Sequence, residues 1–590
     1  TSMDVFVAWQ LIPADGRAVS DIAQRLGLPR PVAILLAQRG CESAEAARRF
    51  LGARGDVSWM SHFKPPPSMQ TAAKRILEAK ERGERVTIYG DYDADGVSGG
   101  SVLQRFFSAG LGLDAHTFLP SRFKEGYGLN ARVIPELAAD GTQLIVTTDN
   151  GITAVEAAQA CAAHGIDLIV TDHHTAKDTL PEALALVHPK VDFPEYTALS
   201  GAGVAFMLCM ALSNNDIKRT GQLLDLACIG TLGDMVPLTD YNRAIVHLGL
   251  KRWNLNNKRL GASAMLKAYN AAHPRYAVDT VTATDLGFVI APLINAAGRM
   301  EHPRLAYELL TASDPTTADA LAQKLVQLNE ARKAATRELF AEISATIDAT
   351  MPADEHPFIV LEGSGWHHGL VGLVAGKVLE RYGRPVVILG DEEHEPDLFR
   401  GSGRAPKGVN LVQLLGEADR HMVRWGGHAQ AAGCGVERSS IPALRKTLND
   451  ALRKTGWSHA AAVPQADVLL QLDDLGPALW DAVDLLEPFG QENPKPRFAL
   501  QGAKMERIRV HKGHLFASLH APRGTFEVVG WNMGHGAPFA AEHDLHFALE
   551  RATDFRTGDP VLRLNLLALF PAHSRQRRAP KPGEVDALLD

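Results

Sequence analysis

The sequence predicts an α/β protein with a parallel-sheet domain, a long helix that joins it to a smaller α/β domain, and an all-β domain after these. Short β-branched runs alternate with helical patterns near the start, which is typical of βαβ units. Helical apolar spacing then continues over 313–352 and favours a connector between two lobes, although a core helix of either lobe has the same pattern. Short alternating strands at 463–572 favour a small β-barrel.

Three apolar runs of the first domain end in acidic or histidine side chains. They are 86–89 before the segment DYDADG (91–96), 144–148 before Asp149, and 167–171 before Asp172-His173-His174. Ligands of parallel sheets bind beyond the carboxyl ends of the strands. One aspartate after a strand is usually a helix cap, but three such ends together predict a shared site.

Asp91, Asp93 and Asp95 crowd three carboxylates into five residues. This crowding is unfavourable unless a cation lies between them, and hard divalent cations prefer oxygen ligands. The segment therefore predicts a magnesium or manganese site, with an acidic solvated turn as the alternative. A fourth acidic residue, Asp234, lies in GTLGDMVP (230–237) after a helical pattern, and by itself it fits an ordinary helix C-cap.

In this order the motifs DYDADG, TTDNG, TDHH and GTLGDMVP resemble those of the DHH phosphoesterase superfamily. The resemblance implies two divalent cations, Mn²⁺ or Mg²⁺, which together can activate a water and neutralise a leaving oxygen at phosphorus. The metal ligands that it implies are Asp93, Asp95, Asp149, His173 and Asp234, with Asp149 able to bridge. The catalytic set that it implies is His174, as a general acid or charge stabiliser, and Asp91, as a ligand or an acceptor behind the ligands.

Three glycine-rich segments resemble the DHHA1 domain of the same superfamily. They are 365–375, 401–404 and 426–433. Glycines let backbone amides approach an anion closely, and Ser402, Arg404 and His428 can donate to phosphate oxygens. Each segment alone is equally well explained by a turn or tight packing. Their order along the chain favours the domain.

Two loops and a later segment resemble the long bacterial single-strand-specific exonucleases of this superfamily. They are 120–129 (PSRFKEGYGL), 295–300 (NAAGRM) and 486–496 (LEPFGQENPKP), the last opening a predicted oligonucleotide-binding (OB) domain. The resemblance implies hydrolysis of single-stranded DNA from a 5′ phosphate, release of mononucleotides, and a role in DNA repair and recombination. The substrate-binding residues that it implies are Arg122, Asn295, Arg299, Ser402, Arg404 and His428.

Two other functions remain open from the sequence. One is a DHH phosphoesterase that acts on short RNA or on a nucleotide second messenger, which the chain length and the 486–496 segment disfavour. The other is a catalytically inactive DNA-binding scaffold, as in eukaryotic replication factors. The complete acid and histidine set disfavours that alternative.

The expected domains follow from these patterns and from breaks such as Pro65-Pro66-Pro67. They are an N-terminal helical cap (1–69), the DHH domain (70–312), the connecting helix (313–352), the DHHA1 domain (353–456), the OB-like domain (457–572) and a basic, disordered tail (573–590). We expect the apolar stripe of the cap to be packing rather than a binding face.

Basic residues cluster near one predicted strand of the C-terminal domain. They are Lys504, Arg507, Arg509, His511, Lys512 and His514. They can follow a nucleic-acid backbone, with Phe516 or Trp531 as stacking residues. The alternative is an edge strand protected by charge.

The bulk properties of the 590 residues fit a soluble protein, with 46% hydrophobic and 22% charged residues. The net charge of −7 argues weakly against a polyanion, but a local basic groove is compatible with it. Five scattered cysteines predict a reducing, cytoplasmic location and no zinc site. We expect a monomer without a membrane span or a signal segment, and the resemblance suggests single-strand-binding protein and a RecQ-type helicase as partners.

Overall fold

The computed structural model describes residues 10–52, 60, 62–193, 198–392, 395–458, 464–534, 541–553 and 557–572. The basic tail expected at 573–590 lies outside these residues. Within them, no helix has the length and the apolar character that crossing a membrane requires.

The N-terminal segment is helical, as its apolar spacing predicts. It comprises β1 (Gln10–Leu11) and the helices Gly16–Leu26, Arg30–Gln38 and Ala44–Gly52. Val19, Ile22, Leu35 and Leu36 are buried in one core with Trp480, which belongs to the C-terminal domain. The apolar stripe of these helices is therefore a packing surface.

The first domain is built on a five-stranded sheet. Its strands are β2 (Arg85–Tyr89), β3 (Asp114–Phe118), β4 (Thr142–Thr147), β5 (Asp167–Thr171) and β6 (Ala185–Val187), in the spatial order β3-β2-β4-β5-β6. All neighbouring pairs are parallel. Leu144 and Val146 enter one core and Ile145 enters another, so both faces of the central strands are covered.

Helices cover this sheet and form most of the second half of the domain. Their bounds are Pro67–Arg82, Ala94–Arg105, Ile134–Ala139, Val155–Ala163, Gly201–Leu212, Ile217–Thr220, Leu224–Gly233, Asp240–Trp253, Leu260–Ala272, Ala283–Asp285, Ala291–Met300 and Arg304–Thr311. Two π-helical segments, Phe106–Leu111 and Leu286–Ile290, extend or precede neighbouring helices.

A single helix of 36 residues, Pro315–Thr350, joins the first domain to the second. Asp314 caps it and accepts a hydrogen bond from Thr317 N–H, with proline in the first turn. At 1.5 Å per residue the helix is about 54 Å long. Its first half contributes Leu325 to the core of the first domain, and its second half contributes Ile343 to the second. The connector therefore belongs to both cores.

The second domain has a mixed sheet of five strands. They are β7 (Ile359–Gly363), β8 (Val386–Glu392), β9 (Glu395–Arg404), β10 (Arg424–Gly427) and β11 (Ala431–Glu437), in the order β10-β11-β9-β8-β7. Only β7 and β8 pair in parallel, as the crossover helix His368–Tyr382 between them requires. The helices Leu411–Glu417 and Ile441–Lys454 complete the domain.

The described part of the C-terminal domain has a sheet of seven strands, the α-helix Pro477–Asp484 and a short 3₁₀ helix, Leu472–Asp474. The strands are β13 (Val468–Leu470), β14 (Phe498–Ala503), β15 (Met505–His511), β16 (His514–Ala521), β17 (Gly524–Gly530), β18 (His543–Thr553) and β19 (Pro560–Pro571). Their spatial order is β13-β14-β18-β19-β17-β16-β15. Among the described strands this order has two ends, so the pairing is that of an open sheet, and β15 lies at one edge.

The N-terminal segment meets the start of the C-terminal domain. Strand β1 pairs in parallel with β12 (Gln465–Ala466). The Gln38 amide donates to the carbonyls of Ile12 and Asp467, both at 2.8 Å. The N-terminal helices, which we expected to form a small cap, therefore pack as part of the C-terminal core.

Candidate metal centre and phosphate pocket

The three central strands of the first domain end at one edge of the sheet. Tyr89 of β2 pairs with Thr147 of β4, and Val146 of β4 pairs with Ile169 of β5. The polar residues that follow these strands are Asp91, Asp93 and Asp95, then Asp149, and finally Asp172, His173 and His174. The parallel register therefore gathers three separate motifs at one place.

Helix N-termini hold the first two carboxylates. Asp93 caps the helix Ala94–Arg105, and its Oδ1 accepts from the Asp95 N–H at 3.1 Å. The carboxylate of Asp95 accepts from Gly201 N–H at 2.7 Å and from Ala202 N–H at 2.8 Å. Backbone N–H groups at helix starts favour negative charge. Both carboxylates are thereby oriented, and each keeps lone pairs for a cation.

Two glycines allow this close approach. A Cβ on Gly201 would lie 2.5 Å from Asp149 Cβ, and one on Gly230 would lie 2.4 Å from Asp95 Oδ1. Asp149 has a φ of 65°, in the left-handed region that aspartate and asparagine tolerate better than most side chains. The backbone thus places the Asp149 carboxylate in a defined position.

His173 is the centre of a first group of possible ligands. Its Nε2 lies 3.1 Å from Asp149 Oδ1, and 3.6 Å from both Asp95 Oδ2 and Asp234 Oδ2. Asp234 reaches this point as the C-cap of the helix Leu224–Gly233. Ligand atoms of Asp95, His173 and Asp234 all lie within 4.8 Å of one another, which is compatible with one cation.

A second group lies beside the first. Ligand atoms of Asp91, Asp93 and Asp149 are also within 4.8 Å of one another. Asp91 Oδ1 is buried and has no hydrogen-bond partner, a costly state for a carboxylate unless a cation satisfies it. Asp149 adjoins both groups. The described donor set could therefore hold two cations, and the ligand atom of Asp91 is close enough to those of Asp93 and Asp149 to take part in the second group.

The electrostatics of the cluster favour cations. Burial, reinforced by neighbouring aspartates, raises the pKa of Asp95 to about 6 and the pKa of Asp234 to about 8. The same causes raise the pKa of Asp91 and of Asp149 well above the ordinary range. Burial lowers the pKa of His173 to about 3, so its imidazole is neutral and can act as a ligand.

His174 differs from His173 in carrying a positive charge. Burial disfavours that charge, but the contact of 2.8 Å between His174 Nδ1 and Asp172 Oδ1 outweighs it and raises the pKa of His174 to about 9. The Tyr127 hydroxyl lies 2.9 Å from the same nitrogen and donates to the Asp149 carbonyl at 3.2 Å. Asp172 and Tyr127 were not among the predicted site residues. For Asp172 the signal was its place in the DHH triplet.

A cavity of about 330 Å³ opens between the first and second domains next to the acidic edge. Arg122, Arg299, Arg400 and Arg404 line it together with Ser402, and no carboxylate occurs among its described lining residues. Burial and the charge of Arg122 lower the pKa of Arg299 to about 9, and burial lowers the pKa of Arg404. Crowded guanidinium groups of this kind favour an anion that can accept several hydrogen bonds.

Protein contacts orient these guanidinium groups. Arg122 stacks over the ring of Tyr92 at 3.9 Å from its centroid. Arg299 Nη1 donates to the carbonyl of Gly369 at 2.8 Å, across the boundary between the two domains. Neither Tyr92 nor Arg400 was predicted as a site residue from the sequence. Tyr92 could have been found from its position between Asp91 and Asp93, whereas no motif marks Arg400.

Asn295 and His428 do not line the cavity, although we predicted them with the substrate-binding set. Asn295 Oδ1 accepts from Ala94 N–H at 2.8 Å, because the start of that helix needs acceptors. His428 is exposed between β10 and β11, with Nδ1 3.5 Å from Thr175 Oγ1. We therefore place Asn295 behind the acidic motif and His428 on the metal side of the cleft.

The basic residues of the C-terminal domain lie along its edge strand β15 and the turn to β16. Trp531 is 42% exposed, and its ring centroid lies 5.1 Å from that of His514 and 6.3 Å from that of Phe516. Arg509 lies over Phe516 at 5.4 Å. The edge position fits a protective role for the charges. The aromatic cluster, in which Trp531 is exposed and His514 and Phe516 are half-buried, fits stacking of nucleobases.

Three protein-family models match this chain. They describe the DHH family N-terminal domain at residues 85–231, the DHHA1 domain at 355–454 and the RecJ OB domain at 466–562. Each covers one of the three domains described above.

Known proteins match most of the chain. The single-stranded-DNA-specific exonuclease RecJ of Bacillus subtilis is 35% identical over 89% of this chain and 66% of its own length. The protein of that name from Dickeya dadantii is 32% identical over 83% of this chain and 86% of its own length. The crystal structure of RecJ from Thermus thermophilus with Mn²⁺ superposes with a TM-score of 0.79 at 28% identity, and covers 97% of this chain and 80% of that one. This chain thus spans slightly less than two thirds of the Bacillus protein.

The raised carboxyl pKa values predict that cation binding releases protons. A carboxyl group keeps its proton at any pH below its pKa and must lose that proton before it binds Mn²⁺. The affinity for Mn²⁺ should therefore rise between pH 6 and pH 8, the interval bounded by the values for Asp95 and Asp234, by about tenfold per pH unit for each proton displaced. Calorimetric titration in buffers of different ionisation enthalpy measures the proton count. Asp234→Asn should release about one proton fewer, and a flat affinity across this interval would contradict the prediction.

Proposed function

This chain belongs to the RecJ family of DHH proteins, and we propose that it is a metal-dependent exonuclease that degrades single-stranded DNA from its 5′ end to mononucleotides. The observation that carries the proposal is the adjacency of two sites of opposite charge. One is the pair of neighbouring ligand groups, Asp95-His173-Asp234 and Asp91-Asp93-Asp149, and the other is the arginine-lined cavity beside them. A terminal phosphate in the cavity leaves the following phosphodiester over the acidic edge.

The cation site fits the residues that would hold it. Asp95, His173 and Asp234 would bind one ion, and Asp91, Asp93 and Asp149 would bind the other. Asp149 Oδ1 also lies 3.1 Å from His173 Nε2, so this carboxylate could contribute to both. When bound, two divalent ions supply a nucleophile at neutral pH and neutralise charge on the attacked phosphate. Carboxylates with one imidazole suit Mn²⁺ slightly better than Mg²⁺, and structures of RecJ with each ion exist.

The remaining side chains position the substrate. Arg122, Arg299 and Arg404 offer fork-like donors that fix a terminal phosphate and hold the next linkage at the reaction centre. His174, kept positively charged by Asp172, can stabilise charge on the scissile phosphate or give a proton to the leaving oxygen. The Tyr127 hydroxyl helps to fix the ring of His174.

The bounded cavity supports a preference for chain ends. At about 330 Å³ it is at the lower end of ordinary ligand pockets, which suits one terminal group rather than a continuous strand. The alternatives that act on short RNA or as an inactive scaffold have less support. An enzyme for short RNA would not need the C-terminal domain. An inactive scaffold would not need the cation that the acidic cluster requires.

Cellular context extends the proposal. The five cysteines are buried and form no disulfide, as expected in a reducing cytoplasm. Single-strand-binding protein and a RecQ-type helicase remain proposed partners on the family resemblance alone, in keeping with a role in DNA repair and recombination. We expect the enzyme to act as a monomer.

The first test is digestion of end-labelled oligonucleotides. With Mn²⁺, label at the 5′ end should leave first and as mononucleotides, and a double-stranded control should resist. Asp149→Asn keeps a residue that tolerates the left-handed backbone but removes a ligand charge, so turnover should fall by about 100-fold or more. Circular dichroism checks that the variant is folded. Release of 3′ label first, or activity of Asp149→Asn near that of the wild type, would contradict the assignment.

The second test concerns the arginine cavity. Arg299→Ala should weaken cleavage of strands with a 5′ phosphate by about 2 kcal/mol, roughly 30-fold in kcat/KM, because a buried charge contact is lost. Strands with a 5′ hydroxyl should change much less. Arg337→Ala, an exposed arginine of the connecting helix, is the matched control. Equal losses on both kinds of end would count against a phosphate pocket.

We infer that the aromatic cluster of the C-terminal domain binds the single strand at a second point, remote from the active site. Trp531→Ala should weaken binding of long single strands by about 1–3 kcal/mol, the usual loss for one stacked base. Cleavage of very short oligonucleotides should be unchanged, since they do not reach this surface. Fluorescence anisotropy with strands of increasing length measures the difference, with Tyr276→Ala, an exposed aromatic of the first domain, as control. A length-independent effect would favour the protective role of the edge.

A further inference from the structure

The proposed metal ligand Asp234 begins a short non-helical segment, whose position depends on contacts with other parts of the chain. Asp234 ends its helix, with its N–H donating to Gly230 at 2.9 Å. Met235 follows with a φ of 56° and a side chain that is 62% exposed. The local backbone therefore leaves the helix abruptly, and Met235 contributes little packing that could hold Asp234 in place.

The contacts that support this segment come from residues 490 and 491 of the C-terminal domain. Leu238, buried four residues after Asp234, donates its N–H to the Gln491 carbonyl at 2.9 Å. Gly490 lies against the same side chain, and a Cβ there would be 2.7 Å from Leu238 Cδ1. Both residues belong to the segment 486–493, which we call the docking loop.

A fully buried arginine fastens the docking loop to the first domain. Arg243, in the helix after Leu238, donates to the carbonyls of Leu486 at 2.9 Å and Glu487 at 2.8 Å. It also donates to Phe50 of the N-terminal segment at 3.0 Å, and its guanidinium lies 4.2 Å from the centroid of that ring. One side chain thus joins three parts of the chain, namely the helix Asp240–Trp253, the docking loop and the N-terminal segment. This helix follows the Asp234 segment in the chain.

The docking loop is also tied together by its own hydrogen bonds. Asn493 is buried, and its amide donates to the carbonyls of Leu486 at 2.7 Å and Pro488 at 2.8 Å. Its Oδ1 accepts from Arg39 Nε at 2.6 Å. The Asn242 amide, beside Arg243, completes the arrangement by donating to the Pro237 carbonyl at 2.9 Å. The segment 235–238 is therefore held from both sides.

We propose that the docking loop of the C-terminal domain is a positioning element for Asp234, and so sets the cation affinity of the site formed by Asp95, His173 and Asp234. This inference rests on the metal site proposed above. Outer contacts that orient metal ligands commonly change affinity by 10–100-fold when they are lost. The group formed by Asp91, Asp93 and Asp149 has no such contact with the loop among the described residues, so its affinity should not depend on it.

The test is a Mn²⁺ titration of the full chain followed by electron paramagnetic resonance, without DNA. Gly490→Ala should displace Leu238 and weaken one of two Mn²⁺ sites by about 10-fold, while the other site keeps its affinity. The double variant Gly490→Ala with Leu238→Ala removes the overlap and should recover most of the lost affinity. Gly376→Ala, where an added Cβ meets nothing within 4 Å, is the matched control. Should Gly490→Ala fail to fold, Arg243→Lys replaces it. This variant keeps the positive charge but loses the two-pronged hydrogen bonding of the guanidinium, and it should likewise weaken only one of the two Mn²⁺ sites.

The outcomes separate this inference from the proposed function. If the wild type binds no Mn²⁺, the metal site itself is wrong. If the wild type binds two ions and folded Gly490→Ala binds both with unchanged affinity, only the positioning role is overturned. Equal weakening of both sites, or a double variant no better than the single one, would also overturn it, because general loosening would then explain the loss. Selective weakening with recovery in the double variant supports it.

Discussion

Burial of several carboxylates at one edge of a parallel sheet is the constraint on which the rest of the structure depends. Asp91, Asp95 and Asp149 are each about 1% exposed, and desolvation of unpaired charges is strongly unfavourable. Part of that cost is offset by helix N-termini, whose N–H groups donate to Asp93 and Asp95. The remainder is left for bound cations. The fold therefore prepares a site whose own charges require an ion.

The arrangement also explains how an acidic protein can take a polyanionic substrate. The net charge of −7 says little about the cleft, because the negative charges at the sheet edge are ones that cations would neutralise. Beside them the arginine cavity presents the opposite sign, with contributions from both domains. A single strand bound across the cleft would therefore meet positive charge at its terminus and metal-bound acids at its next linkage.

Long-range connections give this cleft its geometry. The helix Pro315–Thr350 belongs to the cores of both domains that form the cleft, so their relative placement is built into one rigid element. The docking loop of the C-terminal domain then contacts the first domain, where Arg243 donates hydrogen bonds to it. The N-terminal helices join the C-terminal core at the same place. The helix that follows the Asp234 segment is thus contacted, through Arg243, by both the N-terminal segment and the docking loop.

Much of this could be predicted from the sequence because it depends on local patterns. Asp93, Asp149 and His173 each follow a predicted strand, and the alternation of strands with helices predicts a parallel sheet. Because the carboxyl ends of parallel strands lie at one edge, the same pattern predicts a metal site there. The long helix is likewise visible in its apolar spacing and its cap at Asp314.

Contacts between distant segments were decided only by the tertiary structure. Asn295 supports a helix start and does not line the cavity, and His428 faces Thr175, because those positions depend on which surfaces meet when the domains pack. Arg400 and Arg243 carry no local signal at all, since a lone arginine in a sequence looks like a surface charge. Local chemistry therefore determined the kind of site that this chain builds. The meeting of residues as far apart as Arg243 and Leu486 decided which side chains orient it, because packing of distant surfaces leaves no periodic trace in the sequence.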